Sequence, residues 1–481
     1  MPSPEIDYSR KWYVVIAVAM SIFLAVVSGT VVIVALPTLV EVLDTNFATV
    51  QWVLLSYLLV QTTLLLSVGR LGDMIGKKRI YVAGFLVFTF GSWLCGLSPN
   101  IYWLIGFRVV QGIGAAMTLG LGLALVTEAF PPEERGKALG LTGTFVSLGA
   151  VLGPTLGGLL VEALSWPWIF WFNLPIGLAG SVVAIRFIPS IAPAGRQQFD
   201  FLGAATLLIS LLGLLTALTL GQERGFDSPL IGPLFGIWLV FLVIFLIVET
   251  RVPQPVIDLR LFRNGLFSIG LVTGWLTFIA VGGTFVLLPF YLENVLGYGA
   301  SQSGLLLAII PFFIGFTAPL SGSLSDRFGT RPIALIGLLF LVGGFLGLST
   351  LTVDTAQWGY ALRLMPIGLG VGIFQSPNNS AIMGSVSQAR LGIASGMLAF
   401  TRTLGQISGV AILGTVWAAR TIAHQGGVRT GDVTGAPISA QVAGMHDAFT
   451  VLTVVMIIAL GLTIWGILHA HRASQSASVP S

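Results

Sequence analysis

The sequence predicts an all-α membrane protein of 14 transmembrane helices, arranged as two pseudo-symmetric six-helix bundles plus a two-helix insertion. Three observations predict this fold. Of the 481 residues 55% are hydrophobic and 9% are charged, whereas soluble domains carry roughly 25% charged residues. The apolar residues form runs of about 20, which is the length that a helix needs to span a bilayer core of about 30 Å. In addition, one ten-residue pattern occurs in both halves of the chain.

Fourteen apolar runs follow one another, and each is expected to be a helix because only helices and closed barrels satisfy every backbone group in lipid. Their predicted limits are 12–36, 50–69, 80–98, 102–127, 138–162, 166–188, 200–220, 230–248, 267–292, 303–322, 332–352, 358–382, 393–418 and 447–469. The first run continues to Pro37 without a cleavage-site pattern, so it is expected to be a retained helix. Polar stretches at 189–200 and 249–265 divide the runs into groups of six, two and six. The expected domains are 1–190, 191–265 and 266–481.

The distribution of cations predicts the orientation, because Lys and Arg accumulate in cytoplasmic loops. With both termini inside, most of the 23 Lys and Arg residues fall in internal loops, and only Arg224, Arg420 and Arg429 fall outside. A missed helix would invert every later loop and remove this asymmetry. The sequence therefore predicts a multi-pass protein of the cytoplasmic (inner) membrane with both termini cytoplasmic. The cations form no basic run, so nucleic acid is not an expected partner.

The repeated pattern reads GRLGDMIGKK at 69–78 and GSLSDRFGTR at 322–331. In each copy an acid, Asp73 or Asp326, lies close to glycines and is followed by cations. This combination suits a tight turn between two helices, because glycine permits positive backbone angles and the charges can pair across the turn. Duplicated helical bundles are typical of secondary transporters, which hold the substrate between the halves near the bilayer midplane.

Three arginines lie inside predicted helices: Arg108, Arg363 and Arg402. A cation near the centre of a membrane helix costs about 2.5 kcal/mol or more unless it faces a partner or water. Arg108 in the fourth run and Arg363 in the twelfth occupy matching places in the two halves. A functional role and a structural clamp between helices are both open for each arginine.

Together these features resemble the major facilitator superfamily, and within it the fourteen-helix drug:proton antiporter branch of the QacA and EmrB type. The resemblance covers nearly the whole chain. Besides the paired turns it rests on QWVL at 51–54 with Tyr57, RVVQGIG at 108–114, GAVLGPTLGG at 149–158, WPWIF at 166–170 and NLPIG at 173–177. The motif in the fifth run is the one most associated with antiporters of this superfamily. The resemblance implies the major facilitator fold.

The resemblance also implies roles for particular residues. The expected gating and coupling residues are Asp73, Lys77, Glu128, Arg108, Asp326, Arg363 and Arg402. An ion pair between Lys77 and Glu128 would hold an inner gate closed, although both are also consistent with solvated loop charges. The antiporter motif comprises Gly149, Gly153, Pro154, Gly157 and Gly158. Its glycines at every fourth position share one helix face, which either seals and reopens during transport or only packs tightly.

The substrate cavity is expected to be lined by uncharged polar and aromatic side chains: Thr30, Tyr57, Gln61, Asn173, Trp275, Tyr291, Gln375, Asn378, Asn379 and Gln406. The run QSPNNS at 375–380 is unusually polar for a membrane helix, so it either faces the substrate or forms hydrogen bonds between helices. Ser28 stands where many members of the family carry an aspartate, and no acid lies near the centre of any run. A strictly cationic substrate is therefore less expected, because a buried cation needs negative charge or aromatic contact.

The leading hypothesis is a proton-coupled efflux transporter, an antiporter of lipophilic drugs or related small molecules that works by alternating access. It would use the proton gradient as energy source and need no cofactor or metal. The expected partners are a small lipophilic substrate, protons and membrane lipid. One alternative is a facilitator or exporter of a neutral or anionic metabolite or lipid, and another is a non-transporting membrane receptor or scaffold. The chain is not expected to be an enzyme, since it has no nucleotide loop, nucleophile constellation or metal cluster.

Overall fold

The structure is a computed structural model, and it describes residues 11–131, 134–189, 200–252, 255, 257–387, 390–427 and 432–477. Regular structure in these ranges is helical. The helices are α1 (Lys11–Val42), α2 (Phe47–Val50), α3 (Trp52–Ile75), α4 (Lys77–Gly96), α5 (Ile101–Ala129), α6 (Arg135–Ala163), α7 (Trp168–Trp171), α8 (Asn173–Phe187), α9 (Phe201–Arg224), α10 (Ile231–Arg251), α11 (Gly265–Phe290), α12 (Ala300–Leu307), α13 (Ile309–Phe328), α14 (Thr330–Leu348), α15 (Gln357–Gly384), α16 (Leu391–His424) and α17 (Ile438–Ala477). Short 3-10 segments at Leu259–Arg263 and Val433–Gly435 and a π-helical turn at Tyr291–Val295 complete the set.

Twelve helical segments of the described chain are long and apolar enough to cross a membrane by length and composition. They match twelve of the predicted spans. The other two predicted spans, 358–382 and 393–418, fall on α15 and α16, which have 28 and 34 residues but are not among those twelve. The protein is thus a multi-pass helical membrane protein, and a total of fourteen crossings stays a prediction.

The described residues form two compact units. The first unit contains those of Met1–Ala217, Pro229–Val256 and Tyr298–Ala308, and the second those of Leu218–Ser228, Ile257–Gly297 and Ile309–Ser481. The insertion helices α9 and α10 thus belong mainly to the first unit. The domain limits predicted from the sequence stay a prediction.

The same helix pairings occur inside each unit. In the first unit α1 packs on α6, α3 and α4 pack on α5, and α8 packs on α1 and α4. In the second unit α11 packs on α16, α13 and α14 pack on α15, and α17 packs on α11 and α14. Taken in chain order, these are equivalent sets of six helices, which is the arrangement that a duplicated bundle produces.

The repeated sequence pattern forms the same turn in both units. Gly76 ends α3 and begins α4 with a φ of 107°, and Gly329 lies between α13 and α14 with a φ of 89°. Residues with a side chain rarely adopt such positive φ values, whereas glycine does so at little cost. One glycine therefore lets the chain leave one helix and enter the next, and the tight turns predicted from the sequence are present.

Helix α10 of the insertion presents most of its surface to the outside of the protein. Only 11% of its most apolar stretch is buried inside the protein. Long apolar side chains such as Leu239, Val240 and Val243 are exposed along it. A helix that is apolar on its exposed face is stable in lipid and not in water, so this surface is suited to the hydrocarbon region.

A buried charged cluster joins the two ends of the insertion to α3. Asp200, just before α9, is 7% exposed, and Glu249, near the end of α10, is 4% exposed. The Asp200 Oδ1 atom accepts the Gly203 N–H at 2.7 Å and thereby caps the start of α9. Arg70 on α3 donates from Nη2 to the Pro255 carbonyl oxygen at 2.5 Å. Burial lowers the pKa of Arg70, and the nearby carboxylates of Asp200 and Glu249 oppose this shift.

Replacing Asp200 with alanine is expected to lower the free energy of unfolding by about 1–2 kcal/mol, because the change removes a helix cap and one counter-charge of Arg70. Thermal unfolding of the purified protein in detergent measures the effect. The matched variant Asp200→Asn keeps a capping oxygen and loses only the charge, so it should lose about half as much. An Asp200→Ala variant as stable as the unmodified protein would show that the cluster does not hold the insertion.

Candidate functional site

The turn between α3 and α4 carries an ion network, here called the Lys77 latch, which consists of Lys77, Asp73 and Glu128. Lys77 is the first residue of α4, and its Nζ atom lies 3.2 Å from the Asp73 Oδ1 atom in the last turn of α3. The same Nζ pairs with the Glu128 carboxylate near the end of α5. The three side chains are only 22–32% exposed. A single ammonium group thus connects the ends of three helices of the first unit.

The second copy of the pattern forms no such network among the described residues. Asp326 is exposed and takes part in none of the ion pairs found there. The guanidinium of its neighbour Arg327 lies 5.4 Å from the ring centroid of Phe328. The two turns share a positive glycine φ, but within the described ranges only the first turn has a cross-helix ion pair.

Arg108 on α5 is fully buried, with 0% of its surface exposed. Its Nε atom donates to the Val53 carbonyl oxygen on α3 at 2.8 Å. Its Nη1 atom donates to the Ser28 carbonyl oxygen at 3.3 Å, to the Ser28 Oγ atom at 3.1 Å and to the Gln111 Oε1 atom at 2.5 Å. Gln111 in turn donates to the Ser92 hydroxyl on α4 at 2.5 Å. One guanidinium therefore connects α5 with α1 and α3, and through Gln111 with α4.

The partners of Arg108 are neutral. Its Cζ atom lies 4.1 Å from the ring centroid of Tyr57, whose hydroxyl donates to the Ala25 carbonyl oxygen at 3.1 Å. None of the ion pairs among the described residues includes Arg108. The contacts are those of a clamp between helices, and the positive charge is stabilised by carbonyl and amide dipoles and by an aromatic face.

Arg363 occupies the matching place near the start of α15 but has different surroundings. It is half-buried, and its Nε atom donates to the Thr350 Oγ1 atom at 3.0 Å. Its Nη1 atom donates to the Gly359 carbonyl oxygen at 3.0 Å. Arg363 therefore connects α15 with the loop that precedes it, and the two arginines matched by sequence position perform different structural tasks.

The glycines of the predicted antiporter motif bring α6 close to α1. A methyl group at Gly149 would lie 3.1 Å from the Val26 Cβ atom, and one at Gly157 would lie 2.7 Å from the Val31 carbonyl oxygen. Gly153 faces the same helix, next to Thr30. Since these distances are shorter than ordinary contacts, larger residues would push the two helices apart.

The next face of α6 approaches α12, which belongs to the same unit. A methyl group at Gly158 would lie 2.9 Å from the Ser301 Cα atom, and one at Gly304 would lie 3.0 Å from the Pro154 carbonyl carbon. At the end of α6 the Glu162 Oε2 atom accepts the Ser301 N–H at 2.8 Å. The carboxylate of Glu162 therefore satisfies a free backbone donor at the start of α12.

The second unit contains a crevice between α11, α15 and α16, here called the α16 crevice. Its lining residues are Gly270, Leu271, Gly274, Phe278, Phe374, Gln375, Asn378, Asn379, Leu398, Thr401 and Arg402. The cavity volume is about 20 Å³, which is room for about one water molecule. Asn378 is tied to α11, because its Nδ2 atom donates to the Gly270 carbonyl oxygen at 3.1 Å.

The structure brings together four of the residues predicted for substrate binding or coupling, namely Gln375, Asn378, Asn379 and Arg402. Others lie elsewhere: Tyr57, Asn173 and Tyr291 are at most 1% exposed among packed helices, and Thr30, Gln61, Trp275 and Gln406 are partly exposed outside the crevice lining. Sequence reasoning missed Phe278, Phe374 and Thr401, although Thr401 directly precedes Arg402. It also missed the buried pair of Asp200 and Glu249, whose sequence signal is an acid at each end of the insertion.

Titratable side chains in the described ranges form no group of three or more His, Cys, Asp or Glu residues that could hold a metal ion. The one cysteine of the chain, Cys95, is buried in α4 and is a free thiol. The side chains described above form ion pairs, hydrogen bonds and aromatic contacts.

Comparison with known proteins agrees with this geometry. The family model of the Major Facilitator Superfamily matches residues 18–410. The riboflavin transporter RibZ of Clostridioides difficile (strain 630) is 34% identical over 413 residues, which cover 85% of this chain and 89% of RibZ. The multidrug transporter protein MdtP of Bacillus subtilis (strain 168) is 31% identical over 420 residues, which cover 87% of this chain and 77% of MdtP.

Solved structures give the same assignment of fold. A bacterial homologue of the human lysosomal transporter Spinster matches with a TM-score of 0.67 at 18% identity, over 95% of this chain and 96% of the other. At this identity the likeness shows the fold alone. The family expected from the sequence is confirmed, whereas the fourteen-helix branch stays a prediction. The chain belongs to the major facilitator superfamily and is a membrane transporter of that type.

Proposed function

We propose that the protein exports lipophilic small organic molecules by alternating access and that inward proton movement drives the export. The proposal includes the fourteen-helix topology, with both termini on the cytoplasmic side of the inner membrane. Relatives that are named as multidrug transporters support an exported, lipophilic substrate. The apolar composition of the chain supports a substrate that reaches the protein from lipid, where lipophilic compounds accumulate.

The main structural support for the proposal is the Lys77 latch. A transporter that opens on alternate sides needs contacts that hold one state and then break at little cost. Partly exposed ion pairs contribute about 0–1 kcal/mol each, so the pairs of Lys77 with Asp73 and Glu128 can exchange for water during a cycle. The latch also lies at the turn where Gly76 lets α3 and α4 change direction.

Proton coupling needs a carboxylate whose surroundings change during the cycle. Glu162 is one candidate, because its carboxylate caps the start of α12 and a proton on it would weaken that contact. Asp73 and Glu128 in the latch are the other two, since protonation of either would remove its ion pair with Lys77. All three carboxylates lie at helix ends.

The proposal is tested with purified protein in liposomes that carry an imposed proton gradient and a lipophilic fluorescent dye. We expect dye movement that lasts only as long as the gradient and that a protonophore abolishes. Liposomes with protein but without a gradient are the control. Dye movement indifferent to the gradient would contradict proton coupling, and binding without any flux would favour a receptor or scaffold.

Changing Glu128 to glutamine is expected to lower the transport rate by at least about tenfold while changing the free energy of unfolding by less than about 1 kcal/mol. The reason is that the variant loses an ion pair that must form and break in the cycle, whereas a partly exposed pair adds little to stability. Initial rates in liposomes and thermal unfolding in detergent measure the two effects. Asp73→Asn should behave in the same way.

The matched control for these variants is Glu134→Gln. Glu134 also pairs with a lysine of the first unit, since its Oε2 atom lies 2.6 Å from the Lys11 Nζ atom, but it is not part of the latch. We expect this control to keep its transport rate. An equal loss of transport in Glu134→Gln and Glu128→Gln would show that the effect comes from surface charge in general. It would contradict a specific role of the Lys77 latch in transport.

A second candidate function is a facilitator or exporter of a neutral or anionic compound without proton coupling. The observation in its favour is that Arg108 and Arg402 take part in no ion pair among the described residues. Ser28, which stands where related transporters often carry an acid, leaves Arg108 with neutral contacts. In the liposome assay this function would appear as flux that persists without the gradient.

A further inference from the structure

The guanidinium of Arg402 has almost no partner in the described part of the second unit. It forms no hydrogen bond and no ion pair there, and its one close contact is Phe278, whose ring centroid lies 5.2 Å from the Cζ atom. The Nε atom is buried and carries an unused donor. Arg108, which is fully buried, uses its donors for four hydrogen bonds. Contacts between helices therefore account for the buried position of Arg108. Among the described residues no such hydrogen bonds account for the position of Arg402.

Arg402 lies on the wall of the α16 crevice. The same wall presents the uncharged polar side chains of Gln375, Asn379 and Thr401 and the aromatic rings of Phe278 and Phe374. No Asp or Glu is among the lining residues. The crevice is thus a small cavity with one cation, several hydrogen-bonding groups and an aromatic surface.

The side chains that line the α16 crevice favour a ligand with an anionic group. An arginine presents five N–H donors in a planar fork that matches a carboxylate or phosphate. Arg402 is partly buried and unpaired among the described residues, which is unfavourable for a cation inside a membrane protein, so an arriving anionic group would be stabilised by it. A cavity of about 20 Å³, which has room for about one water molecule, would receive one carboxylate or phosphate oxygen and not a whole drug-sized molecule. The rest of such a ligand would extend out of the crevice along the partly exposed ring of Phe278.

We propose that the α16 crevice binds the anionic group of an amphipathic organic substrate, with Arg402 as its counter-ion and the partly exposed ring of Phe278 against its apolar part. The proposal rests on the proposed function, since it names the charge class of the exported molecule. A lipophilic organic anion satisfies both statements. An anionic lipid headgroup has the same chemistry and is distinguished by the test.

The test uses three probes with one aromatic scaffold: 1-pyrenebutyrate, 1-pyrenebutanol and a pyrenylbutyl trimethylammonium salt. Equilibrium binding to the purified full-length protein in neutral detergent is followed by pyrene fluorescence. We expect pyrenebutyrate to bind at least about tenfold more tightly than pyrenebutanol, since a hydrogen bond to a charged group has roughly that value. In the Arg402→Met variant this preference should disappear, while pyrenebutanol should still bind within about twofold of its affinity for the unmodified protein.

Two further variants separate the site from general effects. Arg402→Lys keeps the cation but lacks the planar fork, so it should retain part of the preference. Arg263→Met removes an exposed arginine of the same unit and should bind all three probes like the unmodified protein. Unchanged pyrenebutyrate binding in Arg402→Met, absent binding of every probe to the unmodified protein, or tighter binding of the trimethylammonium probe would each overturn the proposal.

The binding measurement tests the anion site and the flux measurement tests the proposed function, so either proposal can be contradicted without the other. If the pyrene compounds cross liposome membranes in a protein-dependent manner without any charge preference, the proposed function survives and the anion site falls. If the charge preference is present without flux, the site stands and the proposed function falls. Adding phosphatidylglycerol to the neutral detergent tests the lipid source. Its full displacement of pyrenebutyrate would assign the crevice to a headgroup and would overturn the substrate proposal.

Discussion

Replacing Arg108 with methionine is expected to abolish transport and to lower the free energy of unfolding by about 2–4 kcal/mol. The variant removes four hydrogen bonds at distances of 2.5–3.3 Å, of which the three to Val53 and Ser28 connect α5 with α3 and α1 and the fourth, to Gln111, lies within α5. Removing a buried charge also relieves its desolvation, which offsets part of the loss. The hydrogen bonds to a charged donor are expected to outweigh that relief, because Arg108 is already surrounded by oriented dipoles.

The matched control is Arg363→Met, which removes the arginine at the equivalent place in α15. Arg363 is half-buried and donates two hydrogen bonds, so the expected loss is about 1 kcal/mol. Thermal unfolding in detergent and flux in liposomes measure both variants. Equal stability of Arg108→Met and the unmodified protein would show that the hydrogen bonds of Arg108 do not stabilise the helix bundle. Retained flux in Arg108→Met would show that Arg108 has no part in the cycle.

Changing Ser28 to aspartate is expected to leave the free energy of unfolding within about 1 kcal/mol of the unmodified protein as long as Arg108 is present. Ser28 is 0% exposed, and its Oγ atom lies 3.1 Å from the Arg108 Nη1 atom. The Nη2 atom of Arg108 is buried and has a free donor among the described residues. The fold already includes the desolvation cost of the Arg108 guanidinium. A carboxylate at position 28 would therefore form an ion pair with it that has no net charge.

A double-mutant cycle measures this pairing directly. Ser28→Asp introduced together with Arg108→Met would bury an unpaired carboxylate, which costs about 3–5 kcal/mol. We therefore expect Ser28→Asp to be tolerated with Arg108 present and strongly destabilising with Arg108 absent. Ser28→Asn, similar in size and uncharged, is the control and should show little dependence on Arg108. Equal effects of Ser28→Asp in both backgrounds would contradict the contact between the two side chains.

The helices and the paired turns are predictable from the sequence because their causes are local. Lipid contains no hydrogen-bonding partners, so a long apolar run must satisfy its own backbone as a helix. The turn at Gly76 and its repeat at Gly329 follow from the need for a positive φ next to a helix end. The ion pair of Lys77 with Glu128 is also predictable, since both lie at helix ends where charges avoid lipid.

The contacts inside the helix bundles are not predictable in the same way. Membrane helices are apolar around most of their circumference, so the sequence has no strong period that identifies the buried face. Tyr57 and Tyr291, expected to face the substrate, are instead buried against Arg108 and the Thr352 carbonyl oxygen. Asp200 and Glu249 lie close to each other because the end of α10 is near the start of α9. This proximity is a feature of the tertiary structure, so the sequence does not predict it.

The central claim is that one substrate-facing surface is reached from each side of the membrane in turn. The most direct measurement uses Asn379→Cys on a Cys95→Ala background, which places the one cysteine of the chain on the wall of the α16 crevice. A membrane-impermeant maleimide is added to right-side-out and inside-out vesicles, with Asp227→Cys in the loop after α9 as a control reached from one side. Alternating access predicts labelling of Asn379→Cys from both sides, in proportions that the proton gradient changes. Labelling from one side alone under every condition would contradict it.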